Sequence, residues 1–105
     1  MSVVYNVHIP KIVKQDIQNV INRKREFGTY EKNIIAFINR IEDSIHLLSK
    51  SPLTGSNLNA RIYRSTNIKY FIIDDYLLFY EVDYANVFVL RFLSAKSDWL
   101  SKLFT

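Results

Sequence analysis

A chain of 105 residues that is 49% hydrophobic, with seven Tyr, seven Phe and one Trp, can build one core and is too apolar to stay disordered. Cysteine is absent, which excludes a disulfide framework and a cysteine-held zinc site. Fourteen Lys and Arg against ten Asp and Glu leave a net charge of +4, a surplus that favours an anionic partner, either nucleic acid or an acidic protein.

Met1–Tyr5 has no basic region followed by an apolar one, so no signal peptide is expected. Apolar runs are broken by charge well short of the ~20 residues that span a bilayer. A cytoplasmic protein of one domain, residues 1–105, without membrane contact is the expectation.

The β-branched and aromatic run Val3–His8 predicts a strand. Pro10 suits the start of a helix, where its missing N–H has no partner to lose. Val13, Ile17, Val20, Ile21 and Phe27 then recur at helical spacing, and Gly28 is a natural stop. Thr29 is placed to cap a second helix, whose stripe runs through Tyr30, Ile34, Phe37, Ile38, Ile41, Ile45 and Leu48. The two helices, joined by about two residues, should form an antiparallel hairpin. Ser51-Pro52-Leu53-Thr54-Gly55 reads as a loop.

After Asn59 the period changes to two. Strands are expected at Ala60–Ser65, Ile68–Ile73, Tyr76–Val82 and Val87–Leu93, and Ser94 is placed to cap a short helix carrying Trp99, Leu100 and Leu103. The fold class is therefore α+β: an N-terminal strand, an αα-hairpin, then an antiparallel β-meander with a short C-terminal helix. With Asp74-Asp75 and Tyr84-Ala85 as two-residue turns, Ile73 faces Tyr76, Asp83 faces Asn86, and Lys69 lies opposite Tyr80, which lies opposite Val89. The same count puts Phe71, Leu78 and Arg91 in the adjacent row. Ile68, Tyr70, Ile72, Leu77, Phe79, Glu81, Phe88, Leu90 and Phe92 share the other face. That second set, being the more apolar, is expected to pack against the helices. Lys69, Tyr80 and Arg91 would then share an open, half-apolar, cationic face suited to binding. As purely structural ion pairs, Arg91 could meet Asp98 and Lys69 a turn aspartate.

The order of these elements resembles the RelE/ParE superfamily of toxins from type II toxin–antitoxin systems. Residues 51–58 resemble the family's proline–glycine–leucine loop. Residues 68–82 resemble its central hairpin, with a basic residue before the strand and a tyrosine after the turn. Residues 87–99 resemble the last strand and its basic, aspartate-containing tail. The resemblance implies an antitoxin partner and one of two activities. RelE-like members cut mRNA on the ribosome without a metal; ParE-like members inhibit DNA gyrase and have no established nuclease chemistry. Toxicity through ribosome-dependent mRNA cleavage is the leading expectation, with gyrase inhibition, or a non-toxic antitoxin-binding module, as alternatives.

On the nuclease reading, Lys69, Tyr80, Arg91 and Lys96 are the candidate catalytic residues, with Arg61, Arg64, Lys69, Arg91 and Lys96 binding nucleic acid or target. Phe71, Leu78 and Tyr80 would offer the antitoxin-binding surface. Some positions depart from the nuclease pattern: Lys69 stands where an arginine is common, Leu77 where an arginine follows the tyrosine, and Ser94 where many members have a histidine. Lys96-Ser97 likewise replaces a basic pair. An obvious general base is lacking. No cofactor and no metal are expected, since His8 and His46 are far apart without suitable carboxylates. Glu42 and Asp43 are adjacent on a helix and point different ways. Arg23-Lys24-Arg25, at a helix C-terminus, reads first as a solvated cluster favoured by the helix dipole, and second as a contact for nucleic acid or gyrase.

Overall fold

The computed structural model describes residues 4–62 and 65–104. Strand β1 (Asn6–His8) leads into helix α1 (Lys11–Glu26), followed by α2 (Glu31–Lys50), a 3-10 turn at Pro52–Thr54 and the short strand β2 (Ser56–Asn57). A second 3-10 turn at Leu58–Ala60 precedes β3 (Lys69–Ile73), β4 (Tyr76–Asp83), β5 (Asn86–Ser94) and helix α3 (Trp99–Leu103). The five strands form one sheet in the order β1-β5-β4-β3-β2, in which β1 runs parallel to β5 and the other neighbours are antiparallel.

Helix α1 starts where proline requires it. Pro10 keeps extended backbone, and its carbonyl accepts the first hydrogen bonds, from Val13 and Lys14. At the other end Gly28 takes a left-handed φ of 76°, and the N–H groups of Gly28 and Thr29 close on the carbonyls of Arg25 and Lys24. The residue at the cap of α2 is Tyr30 rather than Thr29, and its backbone carbonyl, not a side chain, accepts from Asn33 and Ile34. Ala60–Ser65 is not a strand over its described part: Ala60 ends the second 3-10 turn and Arg61 and Ile62 follow in irregular turn. The chain pairs with β3 earlier, through Ser56 and Asn57.

Both tight turns fall where the sequence places them. Each starts with a residue in the left-handed region, Asp74 at φ 54° and Tyr84 at φ 53°. Aspartate tolerates this conformation, and Arg40 of α2 grips the Asp74 carboxylate with two hydrogen bonds, 3.0 and 2.7 Å.

The register also follows expectation up to one point. Lys69 faces Tyr80, Tyr80 faces Val89, Ile73 faces Tyr76 and Asp83 faces Asn86. Between Tyr80 and Phe79 the pairing shifts by one, so Leu90 has no partner, Phe79 faces Arg91, and Leu78 faces Phe92 instead of Arg91. A single bulged residue turns every later side chain of β5 to the opposite face. Phe92 is thereby delivered to the helix side, where it stacks on Tyr76 at 5.3 Å and meets Phe37 at 6.1 Å.

Apart from Phe92, which reaches the helices as expected but by way of the bulge, the two faces are the reverse of the sequence expectation. Ile73, Leu78, Tyr80, Val87, Val89 and Phe92 form the main core with Val13, Val20, Ile21, Ile34, Phe37, Ile41 and Leu48 of the helices. Ile68, Tyr70, Leu77, Phe79 and Leu93 line the other face and make a second, smaller core with Leu58, under Ile62, Trp99 and Leu103. Apolar content could not decide between two faces that are both buried. The cations that seemed to mark an open face stand at its margins: Lys69 is the first residue of β3 and Arg91 lies just beyond the bulge.

Gly55 lies directly against the Tyr80 ring, and a Cβ there would collide with the phenol oxygen and its ring carbon. Gly55→Ala should therefore displace Tyr80 and destabilise the fold by about 1–3 kcal/mol, the usual range for overpacking, seen as a lower midpoint in urea unfolding with unchanged slope.

Candidate functional site

Tyr80 sits in the middle of β4 and is completely buried. Its hydroxyl donates to the Pro52 carbonyl at 2.6 Å and accepts from the Gly55 N–H at 3.1 Å. Burial pushes its pKa up to about 12, against a smaller opposing effect of the Gly55 hydrogen bond. The phenol thus fastens the loop after α2 to the sheet. It has no route to a substrate. Leu78 is equally buried and Phe71 packs half-buried against the same core, so Leu78 and Tyr80 cannot supply the expected antitoxin surface.

Lys69 turns to the β2 side, where its Nζ donates to Asn57 Oδ1 at 2.8 Å. No turn aspartate meets it, because Asp74 and Asp75 follow the opposite end of β3, where Arg40 holds Asp74. Arg91 is committed more firmly. Its Nε and Nη2 donate to the two oxygens of Asp16 at 2.8 and 2.9 Å, a bidentate fork, and Nη1 reaches the Lys102 carbonyl at 3.4 Å. Asp16 also accepts the backbone N–H of Phe92 at 3.1 Å. The side chains of Arg91 and Asp16 are only 21% and 10% exposed, and the hydrogen bonds that Arg91 donates to Asp16 hold the guanidinium pKa above its ordinary value, more strongly than partial desolvation lowers it. The expected partner, Asp98, instead occupies the position before α3. Asp16 was invisible to sequence reasoning because it is 75 residues away, on what reads as the polar flank of α1.

The remaining candidates are dispersed. Arg61 donates to the Tyr70 hydroxyl at 2.6 Å and lies over that ring, on the outer side of the sheet. Lys96 is exposed in the turn after β5, where its N–H donates to Ser94 Oγ; Ser94 organises that turn and does not cap α3. Arg64 lies outside the described residues. Lys69 and Arg91 therefore belong to different sides of the molecule, with Tyr80 enclosed between, and the three-residue site expected from the register does not assemble. Beside Arg91, a polar cleft of about 190 Å³ is lined by Asn19, Arg23, Ser94, Ser97 and Lys102. Among the described residues no three His, Cys, Asp or Glu side chains gather to hold a metal ion, and no helix is long and apolar enough to cross a membrane.

This architecture, a parallel first strand beside a three-stranded meander with two helices on one face, has relatives. Residues 8–99 match the model of the ParE toxin of type II toxin–antitoxin systems, parDE. The chain belongs to the ParE toxin family. Its fold is similar to that of a solved chain described as the chromosomal ParDE TA system from P. aeruginosa, with a TM-score of 0.68 over 87% of this chain and 96% of that one. At 8% identity that likeness concerns the fold alone. No curated protein matches the sequence. The family and the α+β architecture expected from the sequence both stand.

Two measurements address the Asp16–Arg91 pair and the Tyr80 phenol. Removing one partner of a largely buried, hydrogen-bonded ion pair is costly, so Asp16→Ala should lose roughly 2–3 kcal/mol, and a double-mutant cycle with Arg91→Ala should show strong coupling; additivity of the two losses would refute the pair. Tyr80 should make stability fall as pH rises between 10 and about 12. The unfolded phenol ionises near 10 whereas the folded one resists until about 12, so the fold loses its advantage across that window. Denaturation midpoints of wild type and Tyr80→Phe, measured from pH 8 to 12, should diverge below pH 10 and converge above it.

Proposed function

We propose that the whole chain works as one cytoplasmic toxin domain that stops growth by binding DNA gyrase, without cutting nucleic acid, and that a cognate antitoxin neutralises it. Membership of the ParE family supports the protein target, since ParE-like toxins inhibit gyrase. The observation that carries the reading is the inward commitment of the residues a nuclease would need. General acid–base catalysis needs groups that exchange a proton near neutral pH. Tyr80 is enclosed with its pKa near 12, Arg91 is neutralised by Asp16, and Lys69 is tied to Asn57 on the far side. Among the described candidates, ribosome-dependent cleavage, the leading expectation from sequence, would have to work through Lys96, in the turn after β5, and Arg61, which follows the second 3-10 turn and is held by the Tyr70 hydroxyl. Phosphoryl chemistry is stabilised by cations free to converge on one point, and Arg61 is already engaged.

Purified chain added to gyrase and relaxed plasmid should block supercoiling, and expression without antitoxin should halt growth and induce the DNA-damage response. Primer extension on mRNA from the same cells should show intact messages. Codon-phased cuts with supercoiling untouched would overturn the reading in favour of the ribonuclease, and harmless expression would overturn toxicity itself.

A further inference from the structure

The connection between α1 and α2 is the least explained part of the surface. Phe27 is 82% exposed and Tyr30 74% exposed, and neither ring joins either core. Single exposed aromatics such as Tyr84 are ordinary, but two large rings three residues apart at one tip, beside a cluster of cations, make a surface suited to a partner. The connection is also held in one shape. Gly28 adopts its left-handed turn, the Gly28 and Thr29 N–H groups close the end of α1, and Arg25 bridges the two helices to Glu31 at 3.1 Å.

Residues 23–32 contain four cations (Arg23, Lys24, Arg25, Lys32) and two carboxylates (Glu26, Glu31). Four minus two leaves +2, half of the chain's +4 in ten of its residues. The cations are not equivalent. Lys24 folds back over the Phe37 and Tyr76 rings, 4.6 and 5.6 Å from their centroids, and Arg25 is held by Glu31. Arg23 and Lys32 are the two at this tip with neither an acidic partner nor a ring contact among the described residues.

We propose that the tip of the helical hairpin, with Phe27 and Tyr30 as anchors and Arg23 and Lys32 beside them, is the knob that seats this toxin in an apolar cleft on an acidic protein surface of its target. The identity of that protein rests on the gyrase reading above; the knob itself does not. Rigid aromatic anchors are the residues that dominate protein interfaces, and a preformed tip loses little freedom when it docks. Nucleic acid fits less well. A phosphate backbone is bound by many free cations, whereas here two of four are engaged at home and two carboxylates flank the rings.

The test compares wild type, Phe27→Ala/Tyr30→Ala, Arg23→Glu/Lys32→Glu, and Tyr84→Asn as a control, since Tyr84 is 94% exposed in the β4–β5 turn. Both rings are solvated, so the aromatic variant should unfold at the wild-type urea midpoint, which each variant must show first. Growth arrest on expression and inhibition of purified gyrase are then read out. The aromatic variant should need at least ~10-fold more protein for half-inhibition, and the charge variant should associate more slowly, with a weaker salt dependence. Tyr84→Asn should match wild type. A folded aromatic variant as potent as wild type overturns the proposal. So does a potency loss accompanied by equal loss of binding to a labelled 20-base-pair duplex, which assigns the tip to nucleic acid, or by conversion of a wild-type dimer to monomer, which assigns it to a second copy. If wild type leaves gyrase untouched while the aromatic variant relieves growth arrest, the gyrase reading falls and the knob stands.

Discussion

The Asp16 carboxylate occupies a place that a longer edge strand would otherwise fill. β1 covers β5 only from Asn86 to Phe88, and beyond the bulge the border of β5 would present bare backbone. Asp16 takes the Phe92 N–H and both prongs of Arg91, and Arg91 reaches on to the Lys102 carbonyl of α3. One side chain of α1 thus joins the first helix, the last strand and the C-terminal helix. The aromatic cluster of Phe37, Tyr76 and Phe92 depends on the same junction, because only the bulged form of β5 points Phe92 at the helices.

A second fastening repeats this logic at the opposite end of the sheet. Tyr80 crosses the main core to hold Pro52 and Gly55, so the loop after α2 is positioned by a phenol from β4. Arg40 does the same for the β3–β4 turn from the surface of α2. Polar groups that resemble site residues in the sequence are in these cases joints between elements. The chain has turned much of its distinctive chemistry inward, and what remains outside is shape, aromatic rings and positive charge.

Much of the fold was legible because its signals are local. The stripe from Tyr30 to Leu48 has only one helical interpretation, and Asp74-Asp75 and Tyr84-Ala85 are the only breaks that let the three long strands pair. From those two turns the register followed correctly as far as Tyr80 and Val89. It failed at Leu90 because a bulge inside an apolar run leaves no mark: no glycine, no proline and no change of period announces it. The choice of sheet face failed for a related reason. With a second core beneath α3, the two faces are almost equally apolar, and the cations used to break the tie were marginal to both. The site was least legible of all. Lys69, Tyr80 and Arg91 were grouped by spacing, yet their partners Asn57, Gly55 and Asp16 come from other elements, and no pattern in the chain ties them together. The exposed rings of Phe27 and Tyr30 were hidden by their own periodicity, which assigned them to the helical stripes.

The sheet's two borders are also its shortest members, three residues in β1 and two in β2, with the long apolar strands held between them. A border that short exposes few unpaired N–H and C=O groups, and β5, the strand with most to expose, is covered by β1 and then closed by Asp16. Unprotected apolar strands recruit copies of themselves and grow into fibres. Borders this short, with β5 closed by a carboxylate, leave little exposed backbone on which another copy of the chain could add a strand.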